Sequence, residues 1–321
     1  MTLSFPLAAN DLIRVPLYKT FGEWIVVCDA VRLCLNHGVT DDISNTYGNA
    51  IRITRAPGPN GEIMIERLIM KDLGEHEVEV IAAGSEQEKA ISEIDKLLVT
   101  PLNKDMGPNT IPEDLLDSLA FIDSVQGRIG TRTAFVKRGN SPDAVIPPAH
   151  ALPLVRPSIS HWTLSKAEEG TLTSQVRQLK ATDLRKERCE ERAILNDAAF
   201  PLGDREVLIK IGCFAASYTE SSLIFRMLRG KPRSTKRISL PTEDEANRED
   251  APMLSDYSSG TGTLGSYYKS GGLGDYGMER TWIFDGKSFL LSAVSQMPYS
   301  LGLLPDDWPT MVYLRADLDE E

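Results

Sequence analysis

Cysteine is scarce in this chain, four in 321 residues, and no two of them are spaced as Cys-x-x-Cys. That excludes a zinc knuckle and a thioredoxin-type redox pair, both of which need two thiols on one tight turn. Histidine is equally thin: His37, His76, His150 and His161, with no His-x-x-x-His pair to hold a catalytic zinc. Basic charge is in deficit. Lys and Arg number 35 against 46 Asp and Glu, a net charge of −11. A nucleic-acid backbone is a poor partner for such a chain, because that binding releases counterions from a basic face. No apolar run reaches bilayer length, so no transmembrane segment is expected. The first nine residues lack both a basic start and a full hydrophobic stretch. Either the chain is cytosolic or a leader has been removed. No Gly-x-Ser-x-Gly elbow and no Asp-x-Asp-x-Asp-Gly calcium loop occurs.

What is present reads as an ordinary globular composition, 41% hydrophobic and 25% charged, long enough for two domains. Residues 276–291 are the clearest local signal. A Trp282-Ile283-Phe284 run, then Asp285-Gly286, then a second apolar run predict a hairpin closed by a tight type I′ turn. Strand patterns at 23–28, 31–36, 50–55, 62–70 and 75–82 predict a meander. A capping box opened by Ser85 and Glu88 then starts a helix carrying Ile91, Ile94, Leu97 and Leu98. A second helix is expected from Pro112, with Leu115, Leu116, Leu119 and Ile122 buried. Alternation at 132–137 predicts another strand. Five prolines in 141–160 predict an extended linker, dividing residues 1–140 from 161–321. The second half shows helical spacing over 172–195, paired strands at 205–213 and 222–228, and a last strand near 310–315. The expected class is α+β: two halves, each a mainly antiparallel meander or hairpin sheet with one or two packed helices.

Four cysteines allow three pairings, or none if the thiols stay reduced. Cys28 and Cys34 lie at the end of one strand run and within the next, and opposed across a hairpin their Cβ atoms come within disulfide range. The sequential pairing closes the two shortest loops, which would stabilise by roughly 2 and 3–4 kcal/mol. Gly260-Thr261-Gly262-Thr263-Leu264-Gly265 matches Gly-x-Gly-x-x-Gly, but neither flank supplies the strand and helix that a dinucleotide site needs. Ser160-His161, Asp41-Asp42 and Asp306-Asp307 are adjacent pairs, and adjacency does not build a catalytic geometry. A basic block, Arg226 to Arg237, is followed by an acidic one, Thr242 to Asp250. Neighbouring blocks of opposite sign are expected to neutralise one another on the surface.

Several blocks together resemble the domain of unknown function 1176 family, uncharacterised envelope proteins of proteobacteria. They are Phe21-Gly22-Glu23-Trp24-Ile25-Val26-Val27-Cys28-Asp29, Arg55-Ala56-Pro57-Gly58-Pro59, the most specific block Gln126-Gly127-Arg128-Ile129-Gly130-Thr131-Arg132-Thr133-Ala134-Phe135-Val136-Lys137-Arg138-Gly139, Trp282-Ile283-Phe284-Asp285-Gly286, and Asp307-Trp308-Pro309. The resemblance implies export to an oxidising compartment, periplasmic or secreted, with Cys28–Cys34 and Cys189–Cys213 as bonds. Where the family has cysteine in its Gly-Asp-Cys-Gly and Met-Pro-x-Cys segments, this chain carries Tyr276 and Ser300. It implies no catalytic residue, metal or cofactor. The resulting expectation is a non-enzymatic protein binding an envelope protein or cell-wall component, as an inhibitor or stress factor, with Arg128, Arg132 and Trp308 as the candidate interaction surface. The alternative is a hydrolase of cell-wall or ester substrates sited between the two halves and using His161 with one of the acidic residues.

Overall fold

The structure is a computed structural model describing residues 15–39, 49–84, 87–99, 113–217, 219–244 and 246–317. Asp41-Asp42, the capping Ser85, Pro112 and the first nine residues lie outside the described residues. The chain forms two compact units, Met1–Leu152 with Tyr299–Val312, and Pro153–Pro298 with Tyr313–Glu321.

The first unit is built on a six-stranded antiparallel meander: β1 (Leu17–Phe21), β2 (Trp24–Cys28), β3 (Cys34–Val39), β4 (Ala50–Arg55), β5 (Ile63–Asp72) and β6 (Glu75–Gly84). Side chains alternate between the faces of a strand. One face carries Trp24, Val26, Cys28, Cys34, Ile51, Ile53, Ile63 and Ile65, all buried in one cluster with α1 (Gln87–Val99) and α2 (Glu113–Val125). Each such aliphatic side chain stabilises by about 1.5–3 kcal/mol when fully buried. Register explains two residues. Cys28 sits directly opposite Cys34, and the two are disulfide-bonded. Gly38 sits opposite Trp24, where a Cβ would lie 2.3 Å from the indole, so only glycine lets that ring pack across β3. The other face is buried over β2–β4 and exposed toward β6, where Val78 and Val80 reach solvent. Ile25, His37 and Leu68 are fully buried on this face. The segment Tyr299–Val312 is tied to the same unit by hydrogen bonds from Ala30 N to Val312 O (2.9 Å), Gly74 N to Gly302 O (2.7 Å) and Tyr299 OH to Glu23 O (2.6 Å).

The expected strand at 132–137 does not form; that stretch is a sequence of turns. The Asp123 carboxylate explains why. It accepts from the Phe135 amide (2.9 Å) and the Val136 amide (3.0 Å), so these donors are taken by a side chain on α2 rather than by a neighbouring strand.

In the second unit, β7 (Leu154–Val155) pairs in parallel with β18 (Arg315–Ala316). Then come α3 (Lys166–Leu179), α4 (Ala181–Lys186) and the antiparallel strands β8 (Ala198–Leu202), β9 (Glu206–Ala215), β10 (Glu220–Leu228) and β11 (Lys236–Arg237), with sheet order β11-β10-β9-β8. Helix α3 opens on a capping box, Ser165 with Glu168. Its Val176 joins Val207, Ile209, Ile211, Leu223 and Phe225 in the core. The Cys189–Cys213 disulfide fastens the segment after α4 to β9, beside a hydrogen bond from Glu190 N to Cys213 O of 2.7 Å. A short ribbon, β12 (Leu240–Pro241) with β13 (Arg248–Glu249), precedes β14 (Asp256–Ser258), β15 (Thr263–Lys269), β16 (Gly277–Phe284) and β17 (Phe289–Met297), which run in order as an antiparallel meander. The β16–β17 hairpin forms, but its turn is not type I′. Only Gly286 has positive φ (92°), and the last pair is Phe284 with Phe289. The Asp285 carboxylate closes the four-residue loop by accepting from Lys287 N (2.8 Å) and Ser288 N (2.7 Å). The glycine-rich 260–265 segment is the turn of the β14–β15 hairpin and runs into a strand, with no helix N-terminus to receive a phosphate. The fold is α+β, in two sheet-rich units.

Candidate functional site

Two of the three residues expected at an interaction surface are inside the protein. Trp308 is buried and donates from Nε1 to Leu303 O (2.8 Å). Arg128 is fully buried because its guanidinium is the hub of a polar network, whereas Arg132 is exposed. Arg128 donates to Gln126 Oε1 (2.8 Å), Gly58 O (2.5 Å) and Thr133 Oγ1 (3.1 Å), and Thr133 passes a bond to Asp143 Oδ1 (3.0 Å). Gln126 in turn donates to the carbonyls of Arg32 (2.8 Å) and Arg55 (3.0 Å). Arg55, also fully buried, donates to Thr133 O (2.6 Å), stacks 4.3 Å over Phe135, and sits 3.8 Å from Asp123. Burial lowers the Arg55 pKa to about 9, with Arg128 adding to the effect, and lowers Arg128 to about 10; both stay cationic at neutral pH. Burial raises Asp123. Two cations and the carboxylates of Asp123 and Asp143 balance within the network. A cleft of about 490 Å³ lies beside it, lined by Gln87, Thr133 and Asp143 among others, but the arginines are spent on the protein itself. The block of sequence carrying the strongest resemblance is therefore an architectural knot, holding the 126–143 segment to β4 and α2.

His161 is exposed and makes no ion pair among the described residues. The neighbouring Ser160 hydroxyl is buried without a hydrogen-bond partner. No group of three or more His, Cys, Asp and Glu side chains is placed to hold a metal among the described residues. His76 approaches Asp307 at 3.8 Å, with no nucleophile joined to the pair among the described residues.

The basic and acidic blocks do not neutralise each other as expected. Arg280 takes the acidic block's Glu243 through two bonds of 2.8 and 2.9 Å and Glu249 through a third of 2.9 Å. Asp244 is spent on the Ala246 amide and the Asn247 side chain of its own loop. The basic block is left facing a groove of about 870 Å³ in the second unit. Five cations line it: Arg226 on β10, Lys236 and Arg237 on β11, Arg248 on β13, and Lys287 in the β16–β17 turn. Glu206 is the one carboxylate in the lining. Two of the cations are structural. Arg226 pairs with Glu206 (2.5 Å) and donates to Lys287 O, while Arg237 pairs with Glu187 (2.5 Å) and donates to Asp250 O. Lys236, Arg248 and Lys287 are exposed, with no carboxylate in ion-pair range among the described residues. Fixed arginines thus shape the walls, and free-ended cations point into the space between them. What this arrangement can do chemically is hold an anion.

The fold and the groove define a disulfide-crosslinked antiparallel α+β protein of two units, with a cationic groove in the second. The chain belongs to the family described as protein of unknown function (DUF1176), whose profile matches residues 115–315. It is similar to the uncharacterized protein YpfG of Escherichia coli (strain K12), at 25% identity over 344 residues covering 97% of each chain. No solved structure matches. The two disulfides suggest an oxidising, exported location. No helix of the described residues is long and apolar enough to cross a membrane.

Proposed function

We propose that this chain is a non-enzymatic binding protein of the periplasm or the extracellular space, and that it takes an anionic envelope partner in the groove between β10, β11, β13 and the β16–β17 turn. One observation carries the reading. In a chain of net charge −11, Lys236, Arg248 and Lys287 converge on one ligand-sized groove while Glu243 and Glu249 of the acidic block are held by Arg280. An acidic protein gains nothing in solubility from concentrating unpaired cations, which repel one another at short range. A bound anion relieves that repulsion. The two disulfides support an exported location.

The test is calorimetric titration of the intact protein with polyglutamate at low and at near-physiological salt. The wild-type protein is expected to bind, more weakly as salt shortens the screening length from about 30 Å to about 8 Å. The variant Lys236→Glu/Arg248→Glu/Lys287→Glu is expected to lose binding while keeping its melting transition, because all three side chains are exposed. Absence of binding to the wild type, or equal binding by the variant, would refute the assignment.

A further inference from the structure

A second cleft, of about 900 Å³, adjoins the groove. It is lined by Gln175, Gln178 and Leu179 of α3 and by residues 231–234. The two spaces share Ser234, so they lie on either side of the single 3-10 turn Pro232–Ser234. Lys231 and Arg233 are exposed on the first side, Lys236, Arg248 and Lys287 on the second. This is a track of separated positive charges, too extended for one small anion.

Its apolar content is the more telling feature. Leu179 in the first cleft is 51% exposed and Leu228 in the second is 40% exposed, and each sits among cations on the same side of the turn. A glycan offers mainly hydroxyls and has little use for such side chains. A protein segment carrying both carboxylates and aliphatic groups covers them and gains from doing so. The two arginines best suited to fork a phosphate, Arg226 and Arg237, are already bonded to Glu206 and Glu187. Among the exposed cations of the track, three are lysines, point charges that suit carboxylates spread along a chain.

We propose, resting on the groove reading above, that the partner is an acidic peptide segment with interspersed apolar residues, lying across both clefts. The experiment uses the intact protein and four fluorescent probes: polyglutamate, a Glu/Leu alternating peptide, its Gln/Leu counterpart, and an oligouronate. The Glu/Leu peptide is expected to bind about tenfold or more tightly than polyglutamate, and the Gln/Leu peptide not at all. The variant Leu179→Ser/Leu228→Ser is expected to abolish that advantage, bringing the Glu/Leu peptide and polyglutamate to equal affinity. Equal affinity of the wild-type protein for the two acidic peptides, retention of the advantage in the serine variant, or preference for oligouronate would overturn the peptide proposal and leave the anion groove standing. If no acidic probe binds, or if binding survives the triple Lys236, Arg248 and Lys287 reversal, the groove reading itself falls.

Discussion

Replacing His37 with leucine should make the protein more resistant to acid, and the structure sets the size of the effect. His37 lies mid-strand in β3, fully buried, with neither ring nitrogen hydrogen-bonded. Register places it in a cross-strand row: Ile25, His37, Arg52, Glu66, Val80. Arg52 pairs with Glu66 at 2.8 Å, so the imidazole has a cation beside it and no carboxylate of its own in this row. Burial, reinforced by Arg52, lowers the His37 pKa from 6.5 to about 3. Folded His37 therefore stays neutral where the unfolded imidazole takes up a proton. The unfolded state binds more protons as pH falls, so stability is lost from about pH 6.5 downward, and the loss ends near pH 3. The slope is about 1.36 kcal/mol per pH unit, which makes the penalty about 2.7 kcal/mol at pH 4.5 and near zero at pH 7.

His37→Leu removes both that titration and two unsatisfied buried nitrogens, each costly to leave unpaired by about 1–3 kcal/mol. At pH 7 the variant should be as stable as the parent or more so. The difference should then widen by about 2.5 kcal/mol on going to pH 4.5. Asp123, whose pKa burial raises, pulls the pH dependence the opposite way, but it is common to both proteins and cancels in the comparison. Urea unfolding at pH 7, 5.5 and 4.5, with the disulfides intact, measures the difference. Parallel loss of stability in the two proteins would show that His37 is protonated in the folded state, and the argument would be wrong.

Asp123→Asn removes the carboxylate that sits 3.8 Å from Arg55 and leaves Asp143 alone against two buried guanidiniums, so unfolding free energy should drop by about 3–5 kcal/mol; a loss under about 1 kcal/mol in urea titration would count against the network. Gly38→Ala drives a Cβ to 2.3 Å from the Trp24 ring and should cost about 1–3 kcal/mol, with a shift in tryptophan fluorescence. Removing Cys28–Cys34 by a double serine substitution should cost about 2 kcal/mol, and removing Cys189–Cys213 about 3.5, since the loops span 6 and 24 residues. If thermal or urea unfolding ranks the two pairs the other way, loop entropy is not what governs them.

Most of the meander was legible in the sequence because short apolar runs are bounded by turn residues, but β1 went unread and the 31–36 pattern starts three residues before β3, whose strand is Cys34–Val39. The 50–55 pattern coincides with β4, and 75–82 falls inside β6. The β16–β17 hairpin was legible too, although Asp285 acts there through its carboxylate rather than by adopting positive φ. Helix α3 was harder to bound. Its Ser165-Lys166-Ala167-Glu168 start follows the same capping rule applied at Ser85, and it went unread because the first apolar residue, Leu172, comes two turns later.

The failures share a cause. At 132–137 the local pattern was that of a strand, yet a carboxylate on α2 holds two of its amides. Arg128 was expected outside because arginine usually is, and it is inside because Gln126, Gly58 and Thr133 meet its three nitrogens. Trp308 followed the same path inward. The groove escaped notice for the complementary reason. Adjacent blocks of opposite sign suggest mutual neutralisation, but a charge pairs with what the fold brings near, and Arg280 reaches Glu243 and Glu249 from a strand more than thirty residues on. Arg280 thereby occupies two carboxylates of the acidic block. A substitution at Arg280 that keeps the strand, such as Arg280→Gln, should therefore release Glu243 and Glu249 and weaken polyglutamate binding by several-fold, although Arg280 is not among the groove's lining residues. Unchanged affinity in that variant would mean that the acidic block never competed for the cations, and that the groove's charge is fixed by its lining alone.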